Sequence, residues 1–328
     1  MPKEITHWHI AEKAFQHLNA DSTLRRIISA HKYLYLSGAV VMDTPFYLLY
    51  GKGKSAMYNL ANQIHDTPAH SLDFVKRTVS LSPQQTPPPV LAFLLGGLCH
   101  VYADANFHPL VYYFSGTGTG ETPEKSRTAQ SRHHTLETYL DLYYLDKGLF
   151  LPDVFYASRI FKQVEMDKAG FVAVLKRFFS IRSESEFQYF KQALNMHMLL
   201  QHLFDWNLFK ISLLAINCLP GLNIDHWVSS FYPIKNPAPN TTFKNRLKYR
   251  HPVTGQDLHQ SVPTIAQSVH QKILNGFKTI EGHWNKSTLS SALDLLPGPN
   301  LYTGIEGFQK SEMKYFSTEM DVIELIFK

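Results

Sequence analysis

Cysteine is almost missing: Cys99 and Cys218 are the only two in 328 residues, far apart and each inside an apolar run. That excludes a disulfide framework and a cysteine-built structural metal site, and it reads as two reduced core thiols. Charge is sparse as well, at 18% of residues with a formal net charge of +5. No dense Lys/Arg block provides a nucleic-acid footprint, so no nucleic-acid partner is expected. The opening stretch MPKEITHWHIAEKAF has charge and mixed polarity where an export signal would need an apolar run. Residues 198–219 form the most apolar later segment, but Gln201, His202, Asp205 and Lys210 interrupt it. It is expected to be a buried helix and not a membrane span, and the protein to be cytoplasmic. Strand-like alternation is rare, and the Gly/Thr-rich residues 115–127, read as a mobile rim loop, lack the spacing of a phosphate-cradling P-loop. Nothing specifies an oligomeric state.

Histidine, by contrast, is abundant, with 17 residues. The most telling three-residue pattern lies in PPPVLAFLLGGLCHVYADANFHPLVYY, residues 87–113. Prolines are tolerated in a first helical turn, so a helix is expected to start there. His100, Asp104 and His108 follow at i, i+4 and i+8, on one face of that helix. The rise of 1.5 Å per residue separates the two histidines by ~12 Å along the axis. Zinc–ligand bonds are only ~2.0–2.2 Å long, so one ion cannot take both. A metal site here would hold at least two ions, with Asp104 between them.

Elsewhere the periodicity predicts helices over 7–19, with Thr6 as N-cap, then over 22–37, 131–147, 153–167, 170–179, 185–218, 225–231, 263–281 and 312–327. Asp43 precedes Thr44-Pro45, which disfavours helix and leaves the carboxylate at an element end. His65-Asp66-Thr67-Pro68 makes a similar break before a helix to about residue 80, and residues 82–89 read as a proline-rich connector. His133 and Glu137 form a second i, i+4 chelating pair. The basic stretch 243–251 reads as a solvated face or rim.

His7, Asp43, His65, His100, Asp104, His108, His133 and Glu137 thus come from separate segments of the first 140 residues. Histidine and carboxylate without cysteine suit zinc in an open arrangement. Clustered zinc lowers the pKa of bound water and clamps phosphoryl oxygens, which points to phosphodiester hydrolysis.

The segments THWHIA, AVVMDTPF, HDTP, HVYADANFH and HHTLE, in this order, resemble the zinc-dependent phospholipase C family. That family includes secreted bacterial phospholipases C and the amino-terminal domain of glycosylphosphatidylinositol-specific phospholipase D, with P1-type nucleases more distant. The resemblance covers roughly residues 5–145. It implies an all-α fold, here residues 1–220, with a helical carboxy-terminal extension over 221–328. It also implies two or three zinc ions: Asp43, His65, His100 and Asp104 at the first, His108, His133 and Glu137 at the second, and His7 with bridging Asp104 at the third. It further implies Asp43 doubling as general base, with a phospholipid or another phosphodiester as the expected substrate and transient contact with a membrane surface. In the secreted bacterial relatives an amino-terminal tryptophan amine helps hold the third zinc; here the expected counterpart is the amine of Pro2. The Asp104–His108 spacing is like the phospholipase D branch, and the His133–Glu137 pair like the phospholipase C branch. Alternatives are an HD-type phosphohydrolase using Asp66, a nuclease on the same scaffold, and a non-catalytic zinc-binding helical protein.

Overall fold

The computed structural model describes residues 3–79, 86–118, 122–145, 156–164, 168–204, 206–219, 224–233, 242–284 and 288–317. The amine of Pro2, residues 82–85 of the expected connector and residues 318–327 of the expected last helix lie outside them. The elements in chain order are α1 (Glu4–Gln16), α2 (Thr23–Ala30), α3 (Lys32–Gly38), α4 (Lys54–His65), α5 (Asp73–Val79), α6 (Pro88–Ser115) and α7 (Pro123–Leu145). Next come α8 (Ala157–Val164), α9 (Ala169–Phe178), α10 (Glu184–Phe204), α11 (Asn207–Asn217) and α12 (Asp225–Val228). An antiparallel hairpin, β1 (Leu247–Arg250) with β2 (Asp257–Gln260), precedes α13 (Val262–His283) and α14 (Leu289–Leu293). The fold is all-α, and the hairpin is the one sheet among the described residues.

The organising element is α6, which starts with two prolines in its first turn and is apolar nearly all round, apart from the His100–Asp104–His108 row. A helix apolar all round must be enclosed by other elements; α1, α2, α3, α7 and α13 all pack on this one. It is long and apolar enough to cross a membrane, but 89% of its apolar window is buried inside the protein. Its closest neighbour is α3, and glycine makes the approach possible. A Cβ on Gly96 would lie 2.0 Å from the Tyr35 carbonyl oxygen, and one on Gly38 2.0 Å from that of Phe93. Trp8, fully buried, ties α1 to α3 by donating from its indole to the Leu36 carbonyl at 3.0 Å.

Several expectations need correction. Thr6 lies inside α1, whose N-cap is Lys3. The helix expected over 22–37 divides at His31, with Ser22 capping α2 through Arg25 N. Residues 123–127, expected in a rim loop, belong to the first turns of α7, which starts at Pro123. The basic stretch 243–251 does present Lys244, Arg246, Lys248 and Arg250 to solvent, as expected, but part of it is β1, paired with β2. Residues 313–317 are not helical.

The single helix expected over 185–218 is two helices, and the second is not buried. Trp206, Leu208, Ile211, Leu214, Ile216 and Leu219 are exposed, Leu208 at 66%. The physical reason is position: among the described residues α11 packs mainly against α10 and α12, and its apolar circumference exceeds what these neighbours cover.

Candidate metal centre

Five elements converge on one buried polar cluster. His7 comes from α1, Asp43 from the 3-10 helix Val41–Tyr47, and His65 from the last residue of α4. His100, Asp104 and His108 come from α6, and His133 and Glu137 from α7. Buried polar groups without partners are costly, so such a cluster needs a reason.

Asp43, His65, His100 and Asp104 point one ligand atom each at a common space. His65 Nε2 lies 3.1 Å from Asp43 Oδ1 and 3.6 Å from Asp104 Oδ2. His100 Nε2 lies 3.4 Å from Asp43 Oδ1 and 3.2 Å from Asp104 Oδ2, and the two Nε2 atoms are 3.4 Å apart. Four ligands around a tetrahedral zinc at ~2.1 Å stand ~3.4 Å from one another. All five separations fall close to that edge length.

A second group is His108, His133 and Glu137, with His133 Nε2 2.7 Å from Glu137 Oε1. Between the groups stands Asp104, whose two oxygens face different ways. Oδ2 faces His65 and His100, while Oδ1 lies 3.3 Å from His7 Nε2. Asp43 divides likewise, with Oδ2 3.8 Å from His7 Nε2. Both Asp104 oxygens, both His7 ring nitrogens and His108 Nε2 are buried without a hydrogen-bond partner. Those orphaned atoms and the edge lengths fit a multinuclear zinc centre.

The ring orientations are fixed from behind. His100 Nδ1 donates to the Ala39 carbonyl at 2.9 Å, His65 Nδ1 to Ala61 at 2.8 Å and His108 Nδ1 to Leu301 at 2.6 Å. Each bond places one proton on Nδ1, so that the neutral ring presents its lone pair at Nε2, the form a metal needs.

Electrostatics divide the histidines. Burial by itself lowers the His100 pKa, but Asp104 and Asp43 overcome this and raise it to about 9. Burial, then the His100 charge, lowers His7; burial also holds His108 and His133 well below the usual histidine range. Asp104 is depressed well below the usual carboxylate range, because His100 and His108 outweigh the burial that would raise it. Neutral histidines around ionised carboxylates are what zinc binds, and the excess proton on His100 would leave as the ion enters.

Sequence reasoning missed the supporting residues. Asp141 caps α1: it accepts from Thr6 N at 2.8 Å, Thr6 Oγ1 at 2.6 Å and Ile5 N at 3.3 Å, tying the helix of His7 to the helix of Glu137. Burial, and then the nearby Glu4 charge, raise its pKa to about 7. Glu4 is bound by His197 Nε2 at 3.0 Å and by the Tyr47 hydroxyl, and His197 Nδ1 reaches Thr44 at 3.0 Å, beside Asp43. Leu301 and Tyr302 come from still further along the chain. No local spacing could reveal partners almost 200 residues apart. The other half of the His65-Asp66 pair is structural: Asp66 Oδ1 accepts from Lys310 N at 2.7 Å and Asn300 Nδ2 at 3.3 Å. That gives Asp66 a role unlike the one an HD-type centre requires.

A family model described as zinc dependent phospholipase C matches residues 6–203, a span that holds all eight candidate ligands. No curated protein and no solved structure matches the chain.

Proposed function

Because the chain belongs to the zinc-dependent phospholipase C family, we propose that it hydrolyses a phosphodiester bond of a phospholipid. The observation that carries the reading is Asp104, whose two oxygens are turned to two different sets of ligands. Asp43, His65, His100 and Asp104 would hold one zinc, His108, His133 and Glu137 a second, and His7 with Asp104 a third. Zinc bound there supplies positive charge for the phosphoryl oxygens and makes water acidic enough to attack at neutral pH.

The chain's own residues do the rest. Asp43 retains 7% exposure where Asp104 has none, so its carboxylate is the one that water can reach, and it accepts the proton of the attacking water. Ala39, Ala61 and Leu301 hold the three imidazoles in the ligand tautomer throughout. The many exposed apolar residues of α11 support a lipid substrate, since large apolar side chains concentrated on one exposed element mark an interaction site. It is proposed to rest transiently on the bilayer, as an interfacial helix does.

The test is to incubate zinc-loaded protein with phospholipid vesicles and analyse both product classes. Diacylglycerol with a headgroup phosphate is expected, and chelation should abolish its formation. Leu208→Asp with Ile211→Asp should reduce turnover on vesicles but not on a soluble chromogenic phosphodiester. Intact lipids and an intact chromogenic diester, with zinc verified in the protein, would refute the reading and leave a non-catalytic zinc protein.

A further inference from the structure

The segment after α14 lies against both ligand groups, although it falls beyond the family-matched residues 6–203. Leu301 donates its N–H to the His65 carbonyl at 3.2 Å and accepts from His108. The Tyr302 ring stacks on His65 at 5.8 Å and stands edge-on to His108 at 5.4 Å. Tyr112, one turn beyond His108 on α6, lies 4.8 Å from the His133 ring and 5.6 Å from Tyr302. Over these two tyrosines sits the ammonium of Lys310, 5.1 Å from the Tyr112 centroid and 5.6 Å from that of Tyr302. It is close enough for its charge to act on His133.

This cation has no evident structural duty. Among the described residues no ion pair holds its ammonium. Asp66, the acidic group whose charge reaches it, binds the Lys310 backbone N–H and the Asn300 amide. Those bonds, with Gln309 Nε2 donating to the Asp66 carbonyl at 2.9 Å, pin the segment and hold Lys310 in position. The electrostatics ask for an anion. The ligands bring three carboxylates, Asp43, Asp104 and Glu137, and two zinc dications already outweigh them. A phosphodiester, with one negative charge, at most balances the excess of two ions and falls short of that of three, so it leaves no negative charge over for Lys310. A lone cation beside a positive centre is unfavourable unless the ligand brings a second negative charge. A headgroup ending in a quaternary ammonium would seek an aromatic cage; here Lys310 already fills it.

We infer that Lys310, on its Tyr112–Tyr302 shelf, is the specificity residue of a subsite for a headgroup that carries its own anion, a carboxylated or phosphorylated alcohol. The inference rests on the phosphodiesterase reading and narrows its substrate class.

The test uses two headgroup phosphates of similar length and opposite terminal charge, phosphoglycolate and phosphoethanolamine. Neither is a diester, so binding to the zinc-loaded protein can be measured by calorimetry. Wild type should prefer phosphoglycolate about tenfold, the ratio one charge-assisted hydrogen bond supports. Lys310→Met, which keeps the stem over the tyrosines, should lose the preference at unchanged zinc content; Lys310→Arg should keep it, and Lys310→Glu should reverse it. A wild type without preference, or a preference that survives Lys310→Met, overturns the inference, and the first needs no variant. Hydrolysis of phospholipid without the preference removes the subsite alone. The preference without any hydrolysis removes the phosphodiesterase reading and leaves an anion site.

Discussion

Replacing Asp104 by Asn changes one oxygen to an amide nitrogen and removes one charge at a position with no solvent exposure. The neutral amide keeps a single oxygen, so it can serve either the His65–His100 side or the His7 side, not both. Partners one bond further out from a metal are worth ~10–100-fold in affinity, so loss of a shared ligand charge should cost at least about 100-fold. At a zinc concentration of 100 times Kd, a filled site stabilises the fold by ~2.7 kcal/mol, and a 100-fold weaker site contributes only a few tenths. At roughly 2 °C per kcal/mol for a large domain, one lost site removes about 5 °C of the zinc-dependent rise in Tm. The readout must be the rise on adding zinc, because the substitution also changes the metal-free protein: His100, whose pKa is raised against burial by Asp104 and Asp43, loses one of the two. Native mass spectrometry counts the ions in parallel, with one fewer expected. An unchanged zinc count and an unchanged rise would refute the bridging role and, with it, the shared-ligand reading of the centre.

Glu137→Ala should remove about one zinc per chain by mass spectrometry, since two histidines remain where catalytic zinc uses ~three protein ligands. His134→Ala is the control: its Nδ1 faces Ser230 Oγ at 2.8 Å, so the zinc count should hold. Gly304→Ala should weaken zinc at the His108 group by at least about tenfold, read by competition with a chromogenic chelator, because the segment that presents Leu301 to His108 would be displaced. Gly304 has φ +74°, and a Cβ there would sit 2.3 Å from the Ala105 carbonyl oxygen. That is the carbonyl whose usual helical donor is missing because residue 109 is proline.

What the sequence determined by itself was local and periodic. The i, i+4, i+8 spacing on α6 follows from 3.6 residues per turn alone, so any metal site built there would need at least two ions, with Asp104 between the two histidines. The i, i+4 pair on α7 and the all-helical class were legible for the same reason. Helix ends were less so: Thr6 is a good N-cap by type, yet α1 begins at Glu4 because Asp141, 135 residues away, supplies the cap. Tertiary structure alone decided how the ligands are turned and what surrounds them. The carbonyls of Ala39 and Leu301 reach His100 and His108 across 61 and 193 residues of chain. Lys310 looks like any surface lysine in the sequence, and only the packing of its segment over Tyr112 and Tyr302 sets it beside the centre. The exposure of α11 has the same origin, since composition records that a helix is apolar but not how much of it other helices cover.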